Sequence, residues 1–348
     1  MKQYSLVLCA GVTFVLIFVC PFYAESQTVL KVAAVQSSSV SKNIEGNLAH
    51  AKEIVKNAAD EGAELILLPE LMPSGYIISK KIWDMAEPNN GITVQWLRAT
   101  SKEFGVWLGT TFLEAEGVDF YNTFVLTRPD GTESGRVRKQ RLPGHETLFV
   151  RGDKGLHVIE TDIGRIGIGI CFEATLCFLM QQFYLHSVDL VLLPTADPLT
   201  ESEYNGPKEK WTHDLSSETT QLYAQTLGVP TILANHGGPW ISPLPGFLPE
   251  QNSWYRGQST IADSDGIIKL TLEQDEDYIV AEVTLDPSRK TSQVPECFGQ
   301  YCKEMDIGSR IYQIVSETIG SIVYTFNLER MMKALEISKL NNRVTPEL

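Results

Sequence analysis

Basic side chains are in short supply in this 348-residue chain: Lys and Arg number 29 against 43 Asp and Glu, so the formal net charge is −14. Binding to nucleic acid or to anionic lipid draws much of its strength from Lys and Arg that displace counterions from phosphates. The composition therefore argues against nucleic acid as a partner. Hydrophobic residues make up 43% and charged residues 21%, which is typical of a folded chain and excludes disorder over most of its length.

Cysteine is scarce as well, and the six that occur are Cys9, Cys20, Cys171, Cys177, Cys297 and Cys302. The last four are too few for a disulfide framework in a chain of this size. Cys297 and Cys302, five positions apart in a glycine-containing loop, could close a small bridge in an oxidising compartment. No spacing of Cys and His resembles a zinc site, so the sequence predicts no metal centre.

One long apolar run stands out, from Ser5 to Cys20, behind Lys2 and ahead of the small-residue stretch Ala24 to Ser26. This arrangement predicts a secretory signal peptide over residues 1–26 and hence a secreted or periplasmic protein. The run is shorter than the roughly 20 residues that a membrane-spanning helix needs. An uncleaved membrane anchor is the minor alternative.

From residue 27 onward the pattern predicts alternating strands and helices in one domain over residues 27–300. Helical spacing covers Asn43 to Glu61, and a continuous apolar run over Glu64 to Pro69 predicts a buried strand. Hairpins mixed with strand-helix-strand units favour an α/β sandwich over a purely parallel sheet. Residues 301–348 are expected to form a C-terminal helical arm, with one or two helices in Ser309 to Lys339, that packs on the body or on a second subunit.

Three residues lie where predicted strands end, and together they indicate a covalent active site. Cys171 precedes a predicted helix over Glu173 to His186, where unpaired N–H groups and the helix dipole favour a thiolate. Glu70 closes the buried strand, where desolvation would raise its pKa toward that of a general base. Lys139 would supply a fixed positive charge for an anionic intermediate. Each residue taken singly also has an ordinary structural interpretation, so the combination carries the prediction.

The motifs around these residues resemble those of the nitrilase superfamily of carbon–nitrogen hydrolases. They occur in order as Leu-Leu-Pro-Glu70, Val-Arg-Lys139-Gln-Arg-Leu-Pro and Gly-Ile-Gly-Ile-Cys171-Phe-Glu, and the likeness extends roughly from Val29 to Pro287. The resemblance implies a four-layer α-β-β-α sandwich with two mixed β-sheets. It also implies that no metal or organic cofactor is required and that the chain forms a homodimer or a higher homo-oligomer.

The same resemblance implies the roles of the site residues. Glu70 takes the thiol proton, Cys171 attacks the carbon of an amide or nitrile, and water activated by Glu70 hydrolyses the thioester. Lys139 and the backbone N–H of Phe172 stabilise the tetrahedral oxyanion. The expected partner is therefore a small-molecule amide, ureido compound or nitrile.

Two further glutamates match the resemblance less specifically. Glu146 occupies the place of a second glutamate that positions substrate or the reactive water. Glu173 matches an acidic residue that often follows the nucleophile, and both substrate contact and stabilisation of a helix N-terminus are open for it.

The chain also departs from the superfamily pattern, which leaves the substrate class open. Phe172 stands where Trp or Tyr is common, and Leu176 to Met180 is apolar where charged residues are frequent. A small linear amide or ureido substrate is favoured. A nitrilase and an N-acyltransferase using the same triad remain alternatives, whereas a non-catalytic binding module would normally have lost one of the three residues.

Overall fold

The computed structural model describes residues 27–199, 203, 205, 215–242, 250–304 and 307–340. The predicted signal peptide over residues 1–26 lies outside this range. The strands in the described part are β1 (Thr28–Gln36), β2 (Leu65–Leu67), β3 (Trp107–Glu116), β4 (Asp119–Thr127), β5 (Glu133–Arg138), β6 (Val158–Thr161), β7 (Gly164–Ile168), β8 (Leu190–Pro194), β9 (Thr231–Ala234), β10 (Pro239–Ser242), β11 (Gln251–Trp254), β12 (Thr260–Ala262), β13 (Ile268–Thr271) and β14 (Asp277–Leu285).

The α-helices of the same residues are α1 (Ile44–Asp60), α2 (Ile92–Phe104), α3 (Cys177–Leu185), α4 (Leu215–Leu227), α5 (Ile307–Thr325) and α6 (Leu328–Ser338). Short 3-10 helices occur at Lys80–Met85, Glu146–Leu148, Cys171–Thr175 and Pro287–Arg289. Helix α1 begins where predicted because the Asn43 side chain accepts a hydrogen bond from Gly46 N, which caps the first turn. Within the described part, no helix is long and apolar enough to cross a membrane.

Twelve of these strands form two six-stranded sheets, ordered β14-β1-β2-β3-β4-β5 and β13-β12-β9-β8-β7-β6. In each sheet two central pairs are parallel, namely β1 with β2 and β2 with β3 in the first and β7 with β8 and β8 with β9 in the second. The outer pairs are antiparallel. Both sheets are therefore mixed, as predicted.

The core shows why the sheets stack in the middle of the molecule. Alternate residues of one strand point to opposite faces, so Val32 and Ala34 of β1 meet the second sheet, whereas Ala33 and Val35 pack on α1 and α2. The second sheet repeats this pattern against α3 and α4. The layers are helix, sheet, sheet and helix, which confirms the predicted α-β-β-α sandwich.

The helix predicted over Glu173 to His186 is interrupted. Leu176 adopts an extended conformation between the 3-10 helix Cys171–Thr175 and α3, and it forms a β-bridge with Tyr301. The backbone of residues 300–302 also bonds Thr175 and Cys177, at 3.0 and 2.9 Å. The prediction of one continuous helix is wrong because a distant segment pairs with the backbone at this point.

The cysteines pair differently from the sequence-based possibility of a Cys297–Cys302 bridge. The disulfide joins Cys177 to Cys297, with the two Cα atoms 5.8 Å apart, whereas Cys302 is a buried free thiol. Cys177, within the apolar segment Leu176 to Met180, is therefore both buried and bridged. The bridge fastens the start of α3 to the loop that follows the sandwich.

Helices α5 and α6 pack beside the sandwich. The buried Arg330 of α6 forms an ion pair with Asp119 at the start of β4, and its guanidinium lies over the ring of Tyr324. Tyr324 of α5 accepts a 2.9 Å hydrogen bond from the backbone N–H of Phe120. Buried polar side chains thus hold both helices against β4.

Candidate active site

The three strand-end residues of the sequence motifs come together between the two sheets. Glu70 follows β2, and its backbone N–H bonds Thr195 O, just beyond β8 of the other sheet, at 3.2 Å. Lys139 directly follows β5, and Cys171 lies three residues beyond β7. The carboxyl ends of these strands meet at one edge. Glu70 therefore lies close to Lys139, 69 positions further along the chain, and to Cys171, 101 positions further along.

Cys171 begins the 3-10 helix with φ = +53°, a left-handed conformation that is uncommon for a residue other than glycine. Its Sγ lies 3.8 Å from Ala196 O. The glycines before it allow close packing of the turn: a Cβ at Gly169 would lie 2.7 Å from side-chain carbons of Leu179 and Leu193. The tight turn places the thiol at a defined point at the end of the strand.

A buried charge cluster lies beside the thiol. Lys139 Nζ donates to Glu70 Oε1 at 2.7 Å and to both carboxylate oxygens of Glu146 at 3.0 Å. Asn122 Nδ2 donates a second bond to Glu70 Oε1 at 2.7 Å. Within the described residues, the other oxygen, Glu70 Oε2, is buried and makes no hydrogen bond of standard geometry. One carboxylate oxygen is thus held in place while the other is available to accept a proton.

The cluster sets the protonation states. Burial raises the pKa of Glu70 to about 7, while Lys139 lowers it and Glu146 raises it. Burial and the Glu70 charge raise the pKa of Cys171 well above its ordinary value. For Lys139, burial alone would lower the pKa, but Glu146 and Glu70 raise it on balance, so the amine stays protonated.

At neutral pH the site therefore holds a neutral thiol, a cation and a carboxyl group near its midpoint. The raised pKa of Glu70 agrees with the expectation from sequence that desolvation would increase it. The expectation that a helix dipole favours a Cys171 thiolate is wrong, because burial and the neighbouring carboxylate outweigh a five-residue 3-10 helix.

Cys171 lies in the wall of a cavity of about 440 Å³. The cavity is largely apolar, and its lining residues are Tyr76, Ile78, Pro143, His145, Cys171, Phe172, Ala174, Thr175, Thr195, Ala196, Asp197, Pro198, Leu199, Thr219, Leu233, Trp240 and Gln251. This volume is within the range of sites that bind small molecules. In the described part of the chain, no group of three His, Cys, Asp or Glu side chains is arranged to hold a metal ion.

Glu146 belongs to a second set of hydrogen bonds that reaches the cavity wall. Tyr76 Oη donates to Glu146 Oε1 at 2.8 Å and lies 2.7 Å from His145 Nε2. Because the single hydroxyl proton goes to the carboxylate, His145 Nε2 donates to the tyrosine oxygen. Burial lowers the pKa of His145, which agrees with a neutral ring.

The two remaining predicted residues have different surroundings. Phe172 lines the cavity, next to the nucleophile. Glu173 is fully buried, and its Oε1 accepts from the backbone N–H groups of Gln140 and Arg141 at 2.7 and 3.0 Å. His157 Nε2 lies 3.1 Å from the same oxygen. Of the two roles left open for Glu173, these contacts favour the structural one, because its carboxylate joins the segment after Lys139 to the nucleophile turn.

Sequence reasoning missed Asn122, Tyr76 and His236. The His236 ring lies 2.6 Å from the backbone oxygen of Glu70 and stacks on Tyr255. A signal for Asn122 was present: it shares the buried face of β4 with Phe120 and Phe124, where an amide requires a buried partner. Tyr76 and His236 lie outside the regular strands and helices and gave no comparable periodic signal.

Two stacked mixed sheets, covered by helices and carrying Glu70, Lys139 and Cys171 at the strand ends, form the arrangement that the nitrilase resemblance implied. The family model for carbon-nitrogen hydrolases matches residues 31–293. The chain belongs to the carbon-nitrogen hydrolase family, and the resemblance to the nitrilase superfamily is confirmed.

Similar proteins agree with this assignment. An N-carbamoylputrescine amidase of Oryza sativa subsp. japonica is 27% identical over 278 residues, which cover 75% of this chain and 88% of that protein. An omega-amidase of Danio rerio is 33% identical over 177 residues, 48% of this chain and 64% of that one. The crystal structure of a carbon-nitrogen hydrolase from Helicobacter pylori G27 shares the fold with a TM-score of 0.66 at 20% identity, over 75% of this chain and 91% of that one.

Proposed function

We propose that the protein hydrolyses a carbon–nitrogen bond of a small linear amide or ureido compound through a thioester on Cys171. The observation that carries this proposal is the buried contact of Lys139 Nζ with Glu70 Oε1 at 2.7 Å, beside a thiol that lines a cavity. A carboxyl group with a pKa of about 7, a fixed cation and a nucleophile are the groups that this chemistry needs.

In the first half-reaction, Glu70 Oε2 takes the Cys171 proton as Sγ attacks the substrate carbonyl carbon. The carbonyl π electrons move to oxygen, and the oxyanion is stabilised by Lys139 Nζ and the backbone N–H of Phe172. The tetrahedral intermediate collapses, the C–N bond breaks, and Glu70 returns the proton to the leaving nitrogen. Ammonia or an amine departs, and the acyl group remains on sulfur.

In the second half-reaction, Glu70 takes a proton from water as the water oxygen attacks the thioester carbon. Lys139 again stabilises the oxyanion. The C–S bond breaks, and the sulfur receives the proton that Glu70 holds. The product is a carboxylic acid from an amide or a carbamic acid from a ureido compound. Glu146, fixed by Lys139 and Tyr76, orients the substrate or the water.

The choice of an amide or ureido substrate is supported by the relatives and by the cavity. The Oryza sativa relative is named as an N-carbamoylputrescine amidase, and a carbamoyl amine is a ureido compound. The Danio rerio relative is named as an omega-amidase, which denotes an amide substrate. A largely apolar cavity of about 440 Å³, with Trp240 and Tyr76 in its wall, suits a short chain rather than a polymer.

The decisive experiment measures ammonia release from a matched panel of short amides, ureido compounds and nitriles with the same carbon chains. We expect turnover of amides or ureido compounds, and none by Cys171→Ala or Cys171→Ser in folded protein. Turnover by either variant would contradict the thioester mechanism, and turnover of nitriles alone would replace the proposed activity with a nitrilase.

We further propose a homodimer in which α5 contributes to the contact. Helix α5 and the residue after it expose the apolar side chains Ile307, Ile311, Ile314, Val315, Ile319, Ile322, Val323 and Phe326. An exposed apolar strip of this length is typical of a protein–protein interface. None of these side chains is charged, so the same face of a second copy would meet no like charge.

An extracytosolic location remains our proposal for the compartment. It is supported by the apolar run from Ser5 to Cys20 and by the Cys177–Cys297 disulfide, a bond that persists in oxidising compartments. Mass spectrometry of the purified protein should find an N-terminus at Gln27 or a close neighbour. An intact Met1 would instead favour the membrane anchor.

A further inference from the structure

Helix α5 contacts the sandwich through polar and small side chains, opposite to its exposed isoleucines. Gln313 is 8% exposed and bonds the backbone at two points. Its Oε1 accepts from Gly144 N at 2.9 Å, and its Nε2 donates to Leu142 O at 2.8 Å. One amide thus satisfies a donor and an acceptor on either side of Pro143, which fixes the path of this loop.

Two turns of α5 make further contacts with the same loop. Thr147 Oγ1 lies 3.2 Å from Ser316 O. Gly320 faces Thr147 so closely that a Cβ would lie 1.9 Å from its Oγ1 and 3.1 Å from its carbonyl carbon. A glycine is therefore required here for the helix to approach the loop.

The segment held in this way, residues 142–147, carries a member of the charge cluster. Glu146 lies between the contacts of Gln313 and Gly320, and both of its oxygens accept from Lys139 Nζ at 3.0 Å. Tyr76 also donates to Glu146, at 2.8 Å. Helix α5 therefore contacts the loop on both sides of Glu146.

We propose that Gln313 is a positioning residue that sets the contact between Glu146 and Lys139 from outside the sandwich, with Gly320 permitting the approach. Helix α5 begins at Ile307, beyond residue 293 where the family match ends, so this contact involves a segment outside the matched region. The inference deepens the proposed function, because it concerns the same site.

Two variants reach the loop by independent routes. Gln313→Met keeps the length of the side chain and removes both hydrogen bonds. Gly320→Ala replaces glycine with a better helix former, which should stabilise α5, but the added methyl group would displace Thr147 and the loop. The expected effect on helix stability is therefore favourable, whereas the expected effect on the loop is unfavourable. Ser321→Met, at an exposed neighbouring position, is the matched control. All three are made in the full chain, and thermal unfolding verifies that each is folded.

The first readout is a split between kcat and KM. Displacing a catalytic group by a fraction of an ångström to one ångström lowers kcat by roughly ten- to hundredfold. We expect this loss in Gln313→Met and Gly320→Ala and a smaller change in KM, with Ser321→Met unchanged. The thermal unfolding midpoints of both variants should lie well above the assay temperature, so that unfolding does not account for the loss of kcat.

The second readout does not depend on the natural substrate: the pH dependence of Cys171 alkylation by iodoacetamide. Glu146 raises the pKa of both Glu70 and Cys171, so moving it away should shift the alkylation profile to lower pH. A merely structural role for Gln313 would lower the amount of folded protein without moving this profile. The titratable groups that lie near the thiol and its base are Glu70, Lys139, Glu146, Tyr76, His145, Asp197, His236 and Tyr255.

The outcomes separate cleanly. A lower kcat together with an alkylation profile moved to lower pH in either folded variant supports the positioning role. Wild-type kcat and an unmoved profile in both variants overturn it, and so does activity that falls only in proportion to the folded fraction. If the wild-type protein releases no ammonia from any compound, the proposed function fails, while alkylation still decides the role of Gln313.

Discussion

Lys139 Nζ donates a 2.7 Å hydrogen bond to Glu70 Oε1, and neither side chain is exposed to solvent. Glu146 supplies a second carboxylate to the same ammonium group at 3.0 Å. Removing one partner of a buried ion pair leaves an uncompensated charge, which costs more than the pair itself contributes. Lys139 is therefore required both for the stability of the site and for the charge that we assign to the oxyanion contact.

Replacing Lys139 by methionine should abolish turnover and lower the free energy of unfolding by about 3–5 kcal/mol, because two carboxylates lose their cation. Urea unfolding and ammonia release measure the two effects. Lys56→Met is the control, since Lys56 forms a solvent-exposed pair with Asp60, and such pairs contribute little to stability. Equal losses in the two variants would contradict the assignment of a buried, essential cation.

The pKa of Glu70 should set the acid limb of the activity profile. The base form is the carboxylate, so kcat/KM is expected to rise with pH and level off above about 7. Glu70→Gln should lower kcat by roughly 10²- to 10⁴-fold. A profile with its acid limb near pH 4.5, the ordinary carboxyl value, would show that Glu70 is not the base.

The same shift affects stability with a defined sign. A folded pKa of about 7 above an unfolded value of 4.5 means that the Glu70 contribution is fully present below pH 4.5 and is lost as the pH rises through 7. In Glu70→Gln, the free energy of unfolding should therefore decrease less steeply as the pH rises from 4.5 to about 7. Glu87 is a matched control because burial also raises its pKa to about 7. Glu87→Gln should change the stability slope and leave the activity profile unchanged.

Local sequence pointed to Glu70 and Cys171 because each follows a strand whose apolar pattern is visible, whereas Lys139 follows the polar strand β5 and was selected from its motif. The interruption at Leu176 could not be found in this way, since its cause is a bridge to Tyr301, 125 positions further along the chain. The disulfide between Cys177 and Cys297 could not be identified from sequence for a related reason. Cys297 and Cys302 are close in sequence, but Cys302 Sγ lies 3.3 Å from Ala174 O while Cys297 reaches Cys177.

Glu173 should behave as a structural residue. Its Oε1 accepts from Gln140 N and Arg141 N, and its Oε2 lies 3.3 Å from Ile170 N. Glu173→Gln replaces an accepting oxygen with a donor and should lower the free energy of unfolding by about 1.5–3 kcal/mol. The ratio of kcat/KM between two amides of different chain length should not change. A changed ratio in folded protein would show that Glu173 contacts the substrate.

The exposed strip of α5 gives a test of the proposed dimer. Ile319 is 56% exposed and lies within the strip, so Ile319→Glu should place a charge in the contact and shift the chain to monomers. Sedimentation velocity measures the change. Ile267→Glu, at a 60% exposed position on the β12–β13 turn, is the control and should leave the mass unchanged. A wild-type monomer at all concentrations would exclude the interface.

The Cys177–Cys297 bridge should be visible both chemically and thermodynamically. It closes a segment of 120 residues, so Cys177→Ser should lower the free energy of unfolding by about 2–5 kcal/mol. Cys302→Ser, which removes the free thiol, should have a smaller effect and leave the bridge intact. Non-reducing peptide mapping should recover Cys177 linked to Cys297. Recovery of Cys297 linked to Cys302 would contradict the pairing and would separate the C-terminal loop from the start of α3, the helix that follows the nucleophile turn.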